Sequence, residues 1–279
     1  MKCIRMVKEV VIFLSLSSSS LVFGQYKAVD VWETMPEEVR RVMEEKGLKS
    51  LYQGKEWRSF REKGLEVLQF KKDFSADFLI YLYYLLTQIG DVDTTKKWEE
   101  DSVELQRRIG FLKEAEKLAL KSPAKYHQIL GLIYTWLGYF YRVIGNHKEA
   151  LAMEKRFIEK YYDVATRIGT PKFFDAIQIP LALGIHFEDA GTPPKEAIAY
   201  LQRLSKTHPV REVKLVSLVA LGREYCAIKR TKDAQKVLQI IERDYADLAQ
   251  KDLFHIPIQL LRDVLSGKAR IKTGRGCCH

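Results

Sequence analysis

Asparagine is nearly missing from this chain: Asn146 is the single one in 279 residues, against 46 Lys plus Arg and 36 Asp plus Glu. Few amides among many charges of both signs is a composition of heat-adapted proteins, and lineage codon bias produces it equally well. Glycine and proline are ordinary to scarce, 16 and 8 residues, which excludes collagen-like and low-complexity chains, and a 47% hydrophobic content excludes full disorder. Of the four cysteines, Cys3, Cys226, Cys277 and Cys278, Cys226 falls in an expected helix and is expected to be buried, so no intrachain disulfide framework can be argued. No apolar run reaches the roughly 20 residues of a bilayer-spanning helix. Alternating apolar and polar stretches bounded by turn residues are also absent, so no sheet is expected.

The catalytic and metal signatures are missing too. There is no GxxxxGK[ST], GxGxxG after a strand, HExxH or GxSxG. The six histidines, His127, His147, His186, His208, His255 and His279, form no i, i+4 pair that would preform a zinc site. The acids Glu99, Glu100, Asp101 and Glu104 read as a solvated helix face. The chain is expected to have no enzymatic activity and to need no cofactor.

Lys2, Arg5 and Lys8 precede a mostly apolar run from Val10 to Leu16, four serines and a small residue at Gly24. These are the parts of a secretory signal peptide, 1–24, with Gln25 as the mature N-terminus. The unbroken apolar core is short, Val10 to Leu14, so no integral span is expected after cleavage. Cleavage removes three basic residues and one acid, taking the net charge from +10 to +8.

The remainder reads as helices throughout. Thr34-Met35-Pro36-Glu37 has capping-box spacing and predicts a helix from Pro36 to about Lys46, ending at Gly47. Further starts are expected at Ser75, Asp93, Ser122-Pro123, Asn146, Thr170-Pro171, Thr192-Pro193-Pro194 and Thr231, with stops at Gly90, Gly145, Gly169 and Gly191. One overlong helix is expected over His147 to Ile168. Between these marks apolar residues recur at three and four, as in Leu130, Ile133, Leu137 and Tyr141. Aromatic clusters such as Tyr81, Tyr83 and Tyr84 read as helix–helix packing.

Three glycines align within this pattern. Leu137-Gly138, Leu183-Gly184 and Leu221-Gly222 are each followed three residues after the glycine by an aromatic: Tyr141, Phe187, Tyr225. Gly145 and Gly191 fall seven after the first two glycines, where the third segment has Lys229. Ala150, Ala197 and Ala234 open the next helix. This resembles the tetratricopeptide repeat, TPR, whose small Gly and Ala positions let two helices approach while Leu and aromatic positions fill the seam. The sequence departs from that pattern in three ways. Glu154 takes the place of an aromatic, Pro180 falls near the start of the second segment's first helix, and the alanine intervals are 47 and 37 residues, against about 34 in the family.

The resemblance implies an all-α, right-handed α-solenoid of antiparallel helix pairs. It divides the chain into the signal peptide, an N-terminal helical region with divergent repeats (25–122), TPR-like repeats with a capping helix (123–266) and a flexible basic tail (267–279). It also implies a peptide-binding groove on the inner faces of the first helices. Carried over position by position, that groove holds Thr135, Tyr139, Arg142 and Val143, then Leu181, Ile185, Glu188 and Asp189, then Val219, Arg223 and Cys226, with the two arginines as carboxylate forks. The expected role is a non-catalytic scaffold in the cell envelope with a protein or peptide partner. The mixed signs of the charge argue against nucleic acid. Two alternatives remain. The adjacent Cys277, Cys278 and His279 could handle a metal or redox partner, and an uncleaved N-terminus would make the chain an intracellular regulator.

Overall fold

The computed structural model describes residues 31–88, 102–162 and 183–269. The signal peptide, the Gly90, Asp93, Gly169 and Thr170-Pro171 marks, Leu181 and the Cys277-Cys278-His279 tail lie outside these residues. The described residues are helical and contain no strand.

The helices run α1 Val31–Thr34, α2 Glu37–Glu45, α3 Leu48–Gln53, α4 Trp57–Gln69, a single 3-10 turn Lys71–Asp73, α5 Ala76–Gln88, α6 Ser102–Ala119, α7 His127–Val143, α8 His147–Lys160, α9 over residues 183–189, α10 Pro194–Thr207, α11 Arg211–Ala227, α12 Thr231–Asp244, α13 Ala246–Ala249 and α14 Asp252–Leu265. Long helices pack mainly on their chain neighbours: α5 on α6, α6 on α7, α7 on α8, α10 on α11, α11 on α12, and α14 back on α11 and α12. One hydrophobic cluster runs from Trp32 through to Leu261.

Helix α5 is apolar on every side, with Phe78 through Thr87 all buried, including Tyr81, Tyr83 and Tyr84. A helix without a polar face is stable only when neighbours surround it, and α2, α4 and α6 supply that enclosure. By contrast α12 buries only Ala234, Val237 and Ile241, one stripe of an amphipathic outer helix.

Local signals hold in part. The Asn146 side chain caps α8 by accepting from the Glu149 amide at 3.4 Å, and the Ser75 hydroxyl accepts from the Phe78 amide at 3.2 Å. The Thr34 capping box does not form. Thr34 ends the short α1, and its hydroxyl donates back to the Val31 carbonyl at 2.8 Å instead. Pro36 caps α2 without a side-chain bond. The start expected at Ser122-Pro123 comes later, because residues 120–126 form turns before α7 opens at His127.

The three aligned segments end alike. After α7, the Gly145 amide donates to the Arg142 carbonyl and the Asn146 amide to Tyr141. After α9, Gly191 donates to Glu188 and Thr192 to Phe187; after α11, Lys229 donates to Cys226 and Arg230 to Tyr225. Each pair is a Schellman closure, with the aligned aromatic's carbonyl accepting the bond that spans more residues and a left-handed residue at the turn. That residue is Gly145 at φ 79°, Gly191 at φ 68° and, against the glycine preference, Lys229 at φ 62°.

Candidate functional site

Of the twelve residues of the repeat signature, Leu137, Gly138, Ala150, Leu183, Gly184, Phe187, Ala197, Leu221, Gly222, Tyr225 and Ala234 are buried, and Tyr141 is half-buried. The glycines are not equivalent. A β-carbon on Gly138 would lie 3.2 Å from Glu154 Cγ on α8, and one on Gly222 would lie 2.7 Å from Leu261 Cδ2 on α14. One on Gly184 would meet, among the described residues, nothing nearer than Glu224 Oε1 at 3.6 Å, on the first helix of the following segment.

The residues at groove positions lie on the accessible side of the same helices. Thr135 is half-buried, its hydroxyl donating back to the Gly131 carbonyl at 3.0 Å. Tyr139 is 39% exposed and meets Trp136 edge-on at 5.9 Å between ring centroids. Val143, Ile185, Glu188, Arg223 and Cys226 are half-buried, Asp189 is exposed, and Val219 is buried and belongs to the core.

Arg142 and Arg223 do not stand as open carboxylate forks. Arg142 forms an ion pair with Oε1 of Glu154, whose side chain is only 3% exposed, and its Nη2 lies 3.0 Å from His186 Nδ1. The same Nδ1 is 2.8 Å from Glu154 Oε2. Three helices thus meet at one buried carboxylate. Burial lowers the Arg142 pKa to about 10, with Asp189 opposing the shift. Burial also lowers that of Arg223, against the opposing pull of Glu188, Glu224 and Asp189. His186 is pushed down to about 3, first by burial, then by the positive charge of Arg142, with His147 and Arg223 adding to it and Asp189 opposing. The imidazole is therefore neutral near pH 7. Burial raises the Cys226 thiol.

Arg142 and Arg223 thus share His186 and Asp189 as electrostatic partners, with Glu188 acting on Arg223, while Thr135 and Tyr139 lie farther up α7. Sequence reading missed the two residues that organise these contacts. Glu154 stood out only as a departure from the repeat, and His186 only as a scattered histidine. The available signal was the acid itself, placed where a seam demands an apolar side chain.

A second buried ion cluster corrects the solvated-face reading of Glu104. Glu104 is buried and accepts from Arg61 Nη2 of α4 at 2.7 Å and from Arg108 Nε at 3.1 Å, with Arg107 Nη1 at 3.4 Å. Glu99, Glu100 and Asp101 lie outside the described residues. No group of three or more His, Cys, Asp or Glu that could hold a metal is present among the described residues, and no helix there is long and apolar enough to cross a membrane.

Comparison with protein-family models, with curated proteins and with solved structures finds no match to this chain.

Proposed function

We propose that the chain is a TPR-like helical scaffold, a right-handed solenoid of helix pairs, that holds a protein or peptide segment along the face carrying Thr135, Tyr139, Arg142, Ile185, Glu188 and Arg223. The observation that carries this reading is the partition of α7, α9 and α11. Their Leu, Gly and aromatic signature positions pack inward, whereas the six groove positions keep access to solvent. The repeated Schellman closures support treating the three segments as copies of one unit. A stacked helical array offers a long accessible face, which suits recognition of an extended segment. The role is non-catalytic and, with 1–24 removed as a signal peptide, belongs to the cell envelope.

A photo-crosslinking amino acid at position 139 should capture a partner that the same probe at the exposed Glu242 of α12 does not. Equal capture from both positions would overturn the groove reading. N-terminal sequencing of the mature protein should begin at Gln25; a start at Met1 would overturn the export reading.

A further inference from the structure

His186 Nδ1 lies within hydrogen-bond distance of both a guanidinium and a carboxylate, Arg142 Nη2 at 3.0 Å and Glu154 Oε2 at 2.8 Å. One ring nitrogen cannot serve both. With a proton on Nδ1 it donates to Glu154 and opposes Arg142; without one it accepts from Arg142 and opposes Glu154. A neutral ring can do either, but an imidazolium carries N–H on both nitrogens and can only donate.

We propose that His186 is an acid-operated latch joining the α7–α8 pair to α9: protonation gives Glu154 to the imidazolium and releases Arg142 toward the accessible face. The facing groups come from each packed element. They are Arg142 from α7, His147 and Glu154 from α8, Asp189 on its own helix and Arg223 from α11. Two of these, Arg142 and Arg223, are cationic, and His147 Nδ1 is buried with no hydrogen-bond partner among the described residues. A charge on His186 is therefore held by Glu154 and Asp189 and repelled by Arg142, His147 and Arg223. Arg142 is the group that can leave, since its side chain is 25% exposed while Glu154 is 3% exposed.

The direction of pH dependence follows from the shift. His186 is lowered from 6.5 to about 3 in the closed seam, so an opened seam binds more protons. Closure is fully present above pH 6.5 and weakens by up to about tenfold per pH unit as the pH falls toward 3. The latch stands on the seam geometry; the groove reading gives the release of Arg142 its consequence for a partner.

The latch is tested by phenylglyoxal labelling of Arg142 at pH 7.5, followed by peptide mass spectrometry, with the exposed Arg41 as internal reference. Wild type and His186→Gln should label slowly, and His186→Lys, a permanent cation, at least about tenfold faster. A folded His186→Lys protein with Arg142 as protected as in wild type overturns the proposal. Should His186→Lys not fold, hydrogen exchange of residues 150–158 from pH 7 to 4.5, corrected for intrinsic rates, decides. Protection should fall with acid in wild type and stay level in His186→Gln; parallel profiles overturn the proposal. Neither measurement involves a partner, so this failure and a failure of the groove reading are separately visible.

Discussion

Glu154 lies over Gly138, its Cγ 3.2 Å from where a β-carbon on residue 138 would stand. The missing side chain on α7 lets an α8 carboxylate enter a seam that an aromatic would fill in the repeat pattern the sequence resembles. Having entered, it must be neutralised, and Arg142 one turn further along α7 does so. Removing one member of a buried pair leaves the other uncompensated, at a cost of about 3–5 kcal/mol, whereas apolar replacement of both is often near neutral. Glu154→Ala is therefore expected to destabilise by about 3 kcal/mol. The double change Glu154→Leu with Arg142→Met should recover more than half of that loss. Urea unfolding of Glu154→Leu, of Arg142→Met and of the double measures the coupling directly, and additive losses would count against the pairing.

Two of the signature glycines, Gly184 and Gly222, answer alanine differently. At Gly184 a new methyl meets only ordinary contact distances among the described residues, so the helix propensity of alanine is gained and Gly184→Ala should stabilise by about 0.5–1 kcal/mol. At Gly222 the methyl would come within 2.7 Å of Leu261 Cδ2, and α14 must yield. Overpacking costs about 1–3 kcal/mol and outweighs the propensity gain, so Gly222→Ala should destabilise. Thermal unfolding of both variants should shift in opposite directions; a shared rise would show that propensity alone decides, and a shared fall would overturn the expectation for Gly184.

What could be read from the sequence was what is local. Leu137-Gly138, the aromatic three residues after the glycine, and Gly145 at the turn all act within one helix and its closure, so spacing carried them. Asn146 as a cap was legible for the same reason. The Thr34 box was not, because Met35 and Pro36 leave Thr34 as the last residue of α1, facing back to Val31. The charge pairs that join different helices were invisible because their partners are far apart in the chain: Arg142 is 44 residues from His186, and Arg61 is 43 from Glu104. No helical period links such residues. Only the stacking of successive helices brings them together.

Glu104 illustrates the consequence for a surface-looking acid. It lies in a charged stretch, yet its side chain is 5% exposed between Arg61 and Arg108. Glu104→Ala should destabilise by about 3 kcal/mol or more, because two arginines lose a buried carboxylate. Glu62→Ala, which removes an exposed i, i+4 pair with Arg58, should cost less than about 0.5 kcal/mol. Denaturant midpoints of the two variants compare them in one assay, and similar small losses would return Glu104 to the solvated face.

Lys229 occupies the turn that Gly145 and Gly191 occupy in the other two segments. Its φ of 62° places a β-carbon in the left-handed region, while its amide and that of Arg230 still close the Schellman pair onto Cys226 and Tyr225. A non-glycine residue in that conformation is strained by roughly 1–2 kcal/mol. Glycine removes the strain but adds freedom to the unfolded chain, which offsets part of the gain. Lys229→Gly is therefore expected to stabilise by about 0.5–1 kcal/mol. Gly145→Lys, the reverse change at the matching turn, should destabilise by about 1 kcal/mol. Chemical denaturation of the two variants tests the equivalence of the turns, since opposite signs are required if both helices end by the same closure. Loss of stability in both would mean that the α11 turn is held by its lysine through something other than backbone geometry.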